Sequence, residues 1–248
     1  MTHTRETRAA ASEIKFLIDP PLAPRILEWS RQHLDPDPHG TGADGDEYDI
    51  STIYFDTAAF DVFSRRGSFA RAKYRVRRYN EAPIVYLERK LRKPGLLIKR
   101  RTGDAAESLA RLDGHLRSQT WRGDWFHRRL LARGLRPACQ VSYHRVARTT
   151  TAAEGPARLT LDSRLLAVAV DRPHFTADRG VQFLVDRSVL ELKYRDRLPA
   201  VFRRLIEDFA LSTDAASKYR LAMGALGHPF AGRDEGALQH RGIDCTYA

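Results

Sequence analysis

The sequence predicts an α+β fold in which a closed antiparallel β-barrel is covered by helices. Eight or nine short segments alternate between apolar and polar residues, the number of strands expected of a closed barrel or a sandwich. Helical segments occur between them without the regular strand–helix alternation of a parallel sheet. Most alternating segments place charge on one face and apolar side chains on the other, as strands between two environments do.

The strand patterns follow one another along most of the chain. Turn-forming residues such as Gly, Pro, Asn and Asp separate many of them. The segments are residues 13–18, 51–56, 72–79, 84–92, 96–101, 139–147, 157–165, 180–186 and 189–194.

The helical patterns have one apolar side each, so they are expected to pack on an apolar surface. Leu22, Ile26 and Trp29 recur at helical spacing in the first of them. The others are residues 104–116, 125–133, 198–211 and 218–226, the last preceded by Ser217 as a candidate N-cap. The acidic, Gly- and Pro-containing segment 35–49 is expected to be a long exposed loop.

The chain length and composition suit one folded domain. With 248 residues and 42% hydrophobic residues, a sizeable core can form. We expect a single domain over residues 12–228, between a flexible N-terminus at 1–11 and a flexible tail at 229–248. No apolar stretch of membrane-spanning length and no apolar leader is present, so a cytoplasmic location is expected.

The charge of the chain points to an anionic partner. The formal net charge is +11, which suits nucleic acid, a membrane surface or a phosphorylated small molecule. From Arg71 to Arg101 there are 12 basic residues and two acidic ones. A solvated outer face normally mixes both signs. A single-sign face on adjacent strands repels itself unless a polyanion lies against it.

Two geometries fit the charged faces of the strands. The sheet could be open, as in a nucleic-acid platform, or closed with its charges inward. A closed sheet leaves an apolar outside for the helices to cover. An open platform usually has aromatic residues among its cations, whereas Tyr74 falls on the apolar face and Tyr86 is the main aromatic on the charged one. The charged faces carry Glu13 and Lys15; Lys73, Arg75 and Arg77; Glu88, Lys90 and Arg92; Lys99 and Arg101; and Glu191 and Lys193.

Eight short motifs occur in a fixed order over residues 12–226. They are Glu-Ile-Lys-Phe at 13–16, Ile-Tyr-Phe-Asp-Thr at 53–57, Lys-Tyr-Arg-Val-Arg at 73–77, Leu-Glu-Arg-Lys at 87–90, Ser-Tyr-His-Arg at 142–145, Leu-Thr-Leu-Asp at 159–162, Leu-Glu-Leu-Lys at 190–193 and Ser-Lys-Tyr at 217–219. Together they resemble the catalytic domain of the vacuolar transporter chaperone (VTC) family and its bacterial stand-alone relatives. That family belongs to the CYTH-like triphosphate tunnel metalloenzymes, which implies a closed eight-stranded β-barrel.

The resemblance implies a polyphosphate polymerase that transfers the γ-phosphoryl of ATP to a growing polyphosphate chain. Arg75, Arg77, Lys90 and Glu191 would be catalytic, with Glu191 holding Mn²⁺ or Mg²⁺. The phosphate-binding set would be Lys15, Arg75, Arg77, Lys90, Lys99, Arg101, Tyr143, Arg145, Lys193, Ser217 and Lys218.

Two departures from the family pattern, and two further acids, bear on the site. Only Glu13 stands where the hydrolase relatives have paired glutamates, so a second metal is not expected. Ala215 and Ala216 precede Ser217, where some relatives have a lysine. We interpret Glu88 as an ion-pair partner of Lys90 or an arginine. Asp162 is interpreted as orienting an arginine or touching metal.

Other functions remain open at this stage. The partners expected are ATP and inorganic polyphosphate, without nucleic acid and with a membrane protein as an optional partner in trans. The reaction needs no general base, because its nucleophile is already an anionic phosphate oxygen. The alternatives are a metal-dependent triphosphate or nucleoside-triphosphate hydrolase, a non-catalytic polyphosphate-binding module and an RNA-binding protein. A hydrolase would be expected to have more acidic residues to order metals and water.

Overall fold

The computed structural model describes residues 5–9, 12–93, 96–114, 121–178, 180–214 and 217–227. The tail expected at 229–248 lies outside the described residues, as do Ala215 and Ala216. None of the helices in the described ranges has the length and apolar character needed to span a membrane.

Eleven strands and four α-helices make up the described fold. The strands are β1 (Arg5–Ala9), β2 (Ser12–Ile18), β3 (Asp35–Pro36), β4 (Glu47–Asp56), β5 (Ala72–Tyr79), β6 (Ile84–Lys93), β7 (Leu96–Ala105), β8 (Arg136–Ala152), β9 (Gly155–Ala169), β10 (Val181–Gln182) and β11 (Ser188–Tyr194). The α-helices are α1 (Leu22–His33), α2 (Asp124–Ala132), α3 (Ala200–Asp208) and α4 (Lys218–Ala225). Two 3₁₀ helices lie at Gly67–Arg71 and Ala106–Asp113.

The strands form one antiparallel sheet whose central path runs β1-β7-β6-β5-β4-β8-β9-β11-β2. β10 pairs with β9 and β3 with β8, which gives eleven strands in all. The prediction of a closed eight-stranded barrel is therefore wrong in its strand number. It is also wrong in its closure, because no ladder joins the edge strands β1 and β2 among the described residues. These strands hydrogen-bond to β7 and β11 instead.

The two edges of the sheet are nevertheless consecutive in the chain. Only residues 10–11 separate β1 from β2. Two residues span at most about 11 Å between the flanking Cα atoms. The sheet must therefore curl until its edges come close to each other. In agreement, Lys90 Nζ on β6 lies 3.3 Å from Glu13 Oε2 on β2, although these strands are far apart in the strand order.

The convex outside of the curled sheet is apolar and is covered by helices. Two clusters of buried side chains lie there, one under α1 and α3 and the other under α2 and α4. The first includes Phe16 and Leu192 with Phe202 of α3, and the second includes Val76 with Phe126 of α2. Strand alternation then turns the charged faces toward the concave inside, which we call the tunnel interior. The charged side chains therefore face inward, as the alternative with inward charges in the sequence analysis predicts.

Local departures from the expected elements have identifiable causes. The strand expected at 180–186 is limited to Val181–Gln182, because Leu184 and Asp186 have φ of 53° and 60°. Of the helix expected at 104–116, the structure has a 3₁₀ helix over Ala106–Asp113, β7 takes in the first residues of the segment through Ala105, and residues 115–116 lie outside the described ranges.

The segment expected to be an exposed loop is partly buried. Asp46 lies at 0% exposure and binds Arg148, whose Nη1 is 3.1 Å from Asp46 Oδ2. Asp37 is also buried and binds Arg158, at 2.8 Å. Two of the acidic residues that suggested exposure, Asp37 and Asp46, are therefore partners of arginines on β9 and β8.

Candidate functional site

Every side chain in the sequence-predicted phosphate-binding set lies on or beside the tunnel interior. Most of the cationic side chains form ion pairs with one of four carboxylates. These carboxylates belong to Glu13, Glu88, Asp162 and Glu191. The strands β2, β5, β6, β7, β8 and β11 supply most of the residues, and the start of α4 supplies Ser217 and Lys218.

Glu88 on β6 is the centre of one group of cations. Arg75 Nε donates a hydrogen bond to its Oε2 at 2.7 Å, and Arg101 Nε and Lys99 Nζ lie 3.2 and 3.4 Å from Oε1. Burial would raise the pKa of Glu88, but Arg75 and the neighbouring cations outweigh it and hold this pKa well below its usual value. The expected ion pair with an arginine is confirmed, whereas Lys90 pairs with Glu13 instead.

Glu191 on β11 is the centre of a second group. Lys193, Lys15 and Lys218 place their Nζ atoms 2.6, 2.9 and 3.1 Å from its carboxylate oxygens. Burial opposes ionisation, but the lysines keep the pKa of Glu191 well below its usual value. Lys15 also binds Glu13 at 3.0 Å, so one lysine connects two carboxylates.

Asp162 on β9 orients Arg145. The carboxylate is fully buried, and Arg145 donates to it from Nε at 2.5 Å and from Nη2 at 2.7 Å. Lys218 Nζ lies 2.6 Å from the same carboxylate, so it bridges Asp162 and Glu191. Of the two roles considered for Asp162, these contacts support the positioning of an arginine.

Arg77 on β5 is a buried cation whose described partners are all uncharged. Its Nε donates to Thr52 Oγ1 and its Nη2 to Tyr143 OH, both at 3.3 Å. The side chain also contacts Tyr79, and Arg77 is 7% exposed. No carboxylate forms an ion pair with it among the described residues. A guanidinium in this setting keeps hydrogen-bonding capacity and charge for an anion.

The oxygen atoms around Glu191 fit a hard divalent cation. Thr160 faces Glu191 across the β9–β11 ladder, and its Oγ1 is buried without a hydrogen-bond partner among the described residues. Carboxylate and hydroxyl oxygens are the ligands that Mg²⁺ and Mn²⁺ prefer. Lysines now occupy both oxygens of Glu191, so cation binding there requires a lysine to turn toward another anion.

A separate acidic group lies near the end of α1. Asp44, Asp46 and Glu47 bring carboxylate oxygens within 4.8 Å of one another. Arg31 lies 2.8 Å from Asp44 and 3.2 Å from Asp46, and Arg148 binds Asp46 as well. We interpret this group as part of the packing between α1 and the sheet, because the two arginines Arg31 and Arg148 already bind it.

The two ends of β5 differ in character. Lys73 lies near its start, and its Nζ donates to Ser217 Oγ at 3.0 Å. Tyr79 ends the strand and packs edge-on against Tyr86, with 5.6 Å between ring centroids. Arg101 stacks on Tyr86 at 3.6 Å. The sequence-predicted site omits Lys73 and Tyr79, although alternation from Arg75 and Arg77 places both on the charged face.

Comparisons with known proteins agree with this architecture. Residues 10–226 match the VTC domain family. No curated protein matches the sequence. A candidate adenylate cyclase from Bacillus halodurans has a similar fold, with 17% identity and a TM-score of 0.51 over 85% of this chain and 95% of that one. A candidate adenylyl cyclase from Hippeastrum, described with a dominant triphosphatase activity, has 14% identity and a TM-score of 0.48 over 86% and 94% of the two chains.

Proposed function

Because the chain belongs to the VTC domain family, we propose that it acts on triphosphates as a polyphosphate polymerase that transfers the γ-phosphoryl of ATP to a growing polyphosphate chain. The proposal includes dependence on Mn²⁺ or Mg²⁺ and the partners expected from the sequence, ATP and inorganic polyphosphate. The cytoplasmic location, a membrane-protein partner in trans and the lack of a nucleic-acid partner belong to the same proposal.

The observation that carries the proposal is the excess of cations in the tunnel interior. Among the described residues, four carboxylates lie there, and the hydrogen-bond partners of Arg77 are uncharged. A phosphate chain has negative charge on every phosphate and would offset this excess along its whole length. The ten cationic side chains are Lys15, Lys73, Arg75, Arg77, Lys90, Lys99, Arg101, Arg145, Lys193 and Lys218.

The interior suits phosphoryl transfer between two polyanions. The terminal phosphate oxygen of the chain forms a bond to the γ-phosphorus of ATP, and the bond from that phosphorus to the β-phosphate oxygen breaks to release ADP. The main barrier is to bring like charges into line. Arg75 and Arg77 would hold phosphate oxygens through paired N–H donors, and Lys90 would act as a point charge.

Glu191 would hold a divalent cation, which would offset the negative charge on the oxygens of the transferred phosphoryl group. Lys15, Lys193 and Lys218 would then turn from the Glu191 carboxylate toward the substrate. The described chain would thus exchange internal ion pairs for contacts with phosphate and metal.

Phosphorus NMR of the products tests the proposal. The protein is incubated with ATP and Mn²⁺, with and without tripolyphosphate as primer. A growing signal of internal phosphates together with ADP is the expected result. Orthophosphate release without chain growth would indicate the hydrolase, and tight tripolyphosphate binding without turnover would indicate a binding module. Arg77→Ala should abolish the signal, whereas Arg129→Ala, an exposed arginine on α2, should leave it unchanged.

A further inference from the structure

Two of the sequence motifs meet at a buried hydrogen bond between residues outside the phosphate-binding set. Asp56 ends β4 and belongs to the Ile-Tyr-Phe-Asp-Thr motif, and Tyr219 belongs to the Ser-Lys-Tyr motif at the start of α4. Tyr219 OH donates to Asp56 Oδ2 at 2.5 Å, although 163 positions separate the two residues in the chain. Asp56 is 0% exposed and Tyr219 is 1% exposed. The bond therefore joins the end of a strand in the middle of the sheet to the helix that carries Lys218.

The carboxylate of Asp56 is held in place by the backbone around it. Its Oδ1 accepts hydrogen bonds from the backbone N–H groups of Thr57 and Val62, at 2.7 and 2.8 Å. Its Oδ2 accepts one from the backbone N–H of Phe63, at 2.9 Å, in addition to the bond from Tyr219. Hydrogen bonds to an ionised carboxylate are among the stronger ones in proteins. Asp56 thus presents a fixed acceptor to α4.

Tyr219 holds the first turn of α4. Its ring contacts those of Tyr54 and Phe63, with 5.1 and 6.4 Å between the centroids. Burial, followed by the charge of Asp56, raises the pKa of Tyr219 well above its usual value, so the hydroxyl keeps its proton and donates the hydrogen bond. Ser217, the N-cap residue, makes no capping hydrogen bond with its side chain. The bond from Tyr219 therefore fixes a helix start that lacks a side-chain cap.

Lys218 precedes Tyr219 in the same turn and belongs to the phosphate-binding set. Its Nζ lies 2.6 Å from the Asp162 carboxylate and 3.1 Å from that of Glu191. The two neighbouring residues share one helical backbone, so a shift of Tyr219 also moves the Cα atom of Lys218. Side chains of a binding site must be held within about 0.5 Å of their productive positions. The position from which Lys218 can meet a phosphate therefore depends on the bond between Tyr219 and Asp56.

We propose that Asp56 and Tyr219 are positioning residues, which set the reach of Lys218 into the tunnel without touching a bound phosphate chain themselves. The inference rests on the proposed function in one respect, since it requires that the tunnel binds phosphate. Loss of the tyrosine hydroxyl would release the start of α4 from Asp56, while the ring would keep its packing. Binding would then be weakened through Lys218 and not through the other cations.

A double-mutant cycle on tripolyphosphate binding tests the inference. Tyr219→Phe removes the hydroxyl and keeps the ring, and calorimetry well below the melting temperature measures the affinity. We expect Tyr219→Phe alone to weaken binding by about three- to tenfold. In a Lys218→Met background, the same substitution should change the affinity by less than about twofold, because the lysine through which it acts is absent.

Two controls separate positioning from a general loss of stability. In a Lys99→Met background, Tyr219→Phe should still weaken binding by about three- to tenfold, because Lys99 lies in the other group of cations, beside Glu88. Ile26→Val shortens a fully buried side chain of α1, in the other apolar cluster. It should lower the melting temperature, as Tyr219→Phe does, and leave the tripolyphosphate affinity unchanged.

The outcomes distinguish this inference from the proposed function. An unchanged affinity of Tyr219→Phe would overturn the inference alone. The same change of affinity in the Lys218→Met and Lys99→Met backgrounds would also overturn it, because Tyr219 would then have a purely structural role. Failure of the wild type to bind tripolyphosphate would overturn both the inference and the proposed function.

Discussion

Arg75 and Arg77 show how two residues of one motif can have different electrostatic roles. Alternation places both on the same face of β5, and the sequence predicts this correctly. Only the register between β5 and β6 sets Arg75 opposite Glu88. Arg77 is instead opposite Tyr86. The sequence could therefore indicate which arginines face inward, but not which of them has a carboxylate partner.

Arg77→Ala should weaken tripolyphosphate binding by roughly 10- to 100-fold, because a charge-assisted hydrogen bond contributes about 1.5–3 kcal/mol. The melting temperature should change little or rise, because no ion pair is lost and a repelling charge is removed. Calorimetry and thermal unfolding measure the two effects. Arg77→Lys should lie between the wild type and the alanine variant. A large loss of stability without ligand would instead indicate a structural role.

Glu88→Gln should destabilise the free protein by about 1–3 kcal/mol, because it leaves the partly exposed cations Arg75, Lys99 and Arg101 without their counter-charge. A polyphosphate would replace that counter-charge, so the rise in melting temperature caused by tripolyphosphate should be larger than in the wild type. Glu81→Gln is the control, because its side chain is 84% exposed. Equal melting temperatures of Glu88→Gln and the wild type would contradict this role.

Glu13 gives the free protein a dependence on acid pH. Burial and Glu191 would raise its pKa, but Lys15 and the other lysines lower it to about 2 from the usual 4.5. Its contribution to stability is present above pH 4.5 and is lost as the pH falls toward 2. Chemical unfolding over this range should show a steeper decline in wild type than in Glu13→Gln. Parallel curves would contradict the assignment.

At the scale of elements, α3 stabilises the sheet from its apolar side and contributes no residue to the phosphate-binding set. Phe202 of α3 is fully buried against the apolar face of β2, β9 and β11. Phe202→Ala should lower the free energy of unfolding by about 3–5 kcal/mol. Tripolyphosphate affinity, measured well below the melting temperature, should stay unchanged. Arg203→Ala, at the exposed neighbouring residue, is the control. A loss of tripolyphosphate affinity in Phe202→Ala would contradict the expectation that α3 affects stability and not binding.

Most elements could be predicted because their residues face two different environments. The periodicity of a strand or helix indicates which of its sides is apolar. From this periodicity β2, β5, β6 and the outer helices could be predicted. The pattern does not report long-range partners. Asp46 belongs to a polar, Gly-containing segment, and its ion pairs with Arg31 and with the distant Arg148 explain its burial. The prediction of an exposed loop was wrong there, because the local composition does not show a partner that lies far away in the sequence.

For the whole molecule, strand number and closure could not be predicted from the strand patterns. β1 and β2 lie at opposite edges although two residues separate them, and a hydrogen-bond ladder between them would have closed the sheet. Which strands pair is decided by the assembled sheet and leaves no local pattern. The inward charge, in contrast, could be predicted, because it follows from alternation on every strand.

Added sodium chloride should affect the free protein and the complex in opposite directions. The net charge of +11 and the excess of cations in the tunnel favour unfolding through self-repulsion, which salt screens. The melting temperature of the free protein should therefore rise with salt, while tripolyphosphate affinity falls. Thermal unfolding and calorimetry at matched salt concentrations check both. An affinity insensitive to salt would contradict an electrostatic tunnel.

The ladder between β2 and β11 has a consequence for how the protein folds during its synthesis on the ribosome. It joins Lys15 to Glu191, which are 176 residues apart. Chains are made from the N-terminus, so Phe16 and Ile18 are synthesised early. They can be covered only after β11 and α3 have also been synthesised. A prematurely terminated chain would expose these apolar side chains and lack both Glu191 and Lys218. The ion pairs of Lys218 with Asp162 and Glu191 can form only once synthesis has reached α4.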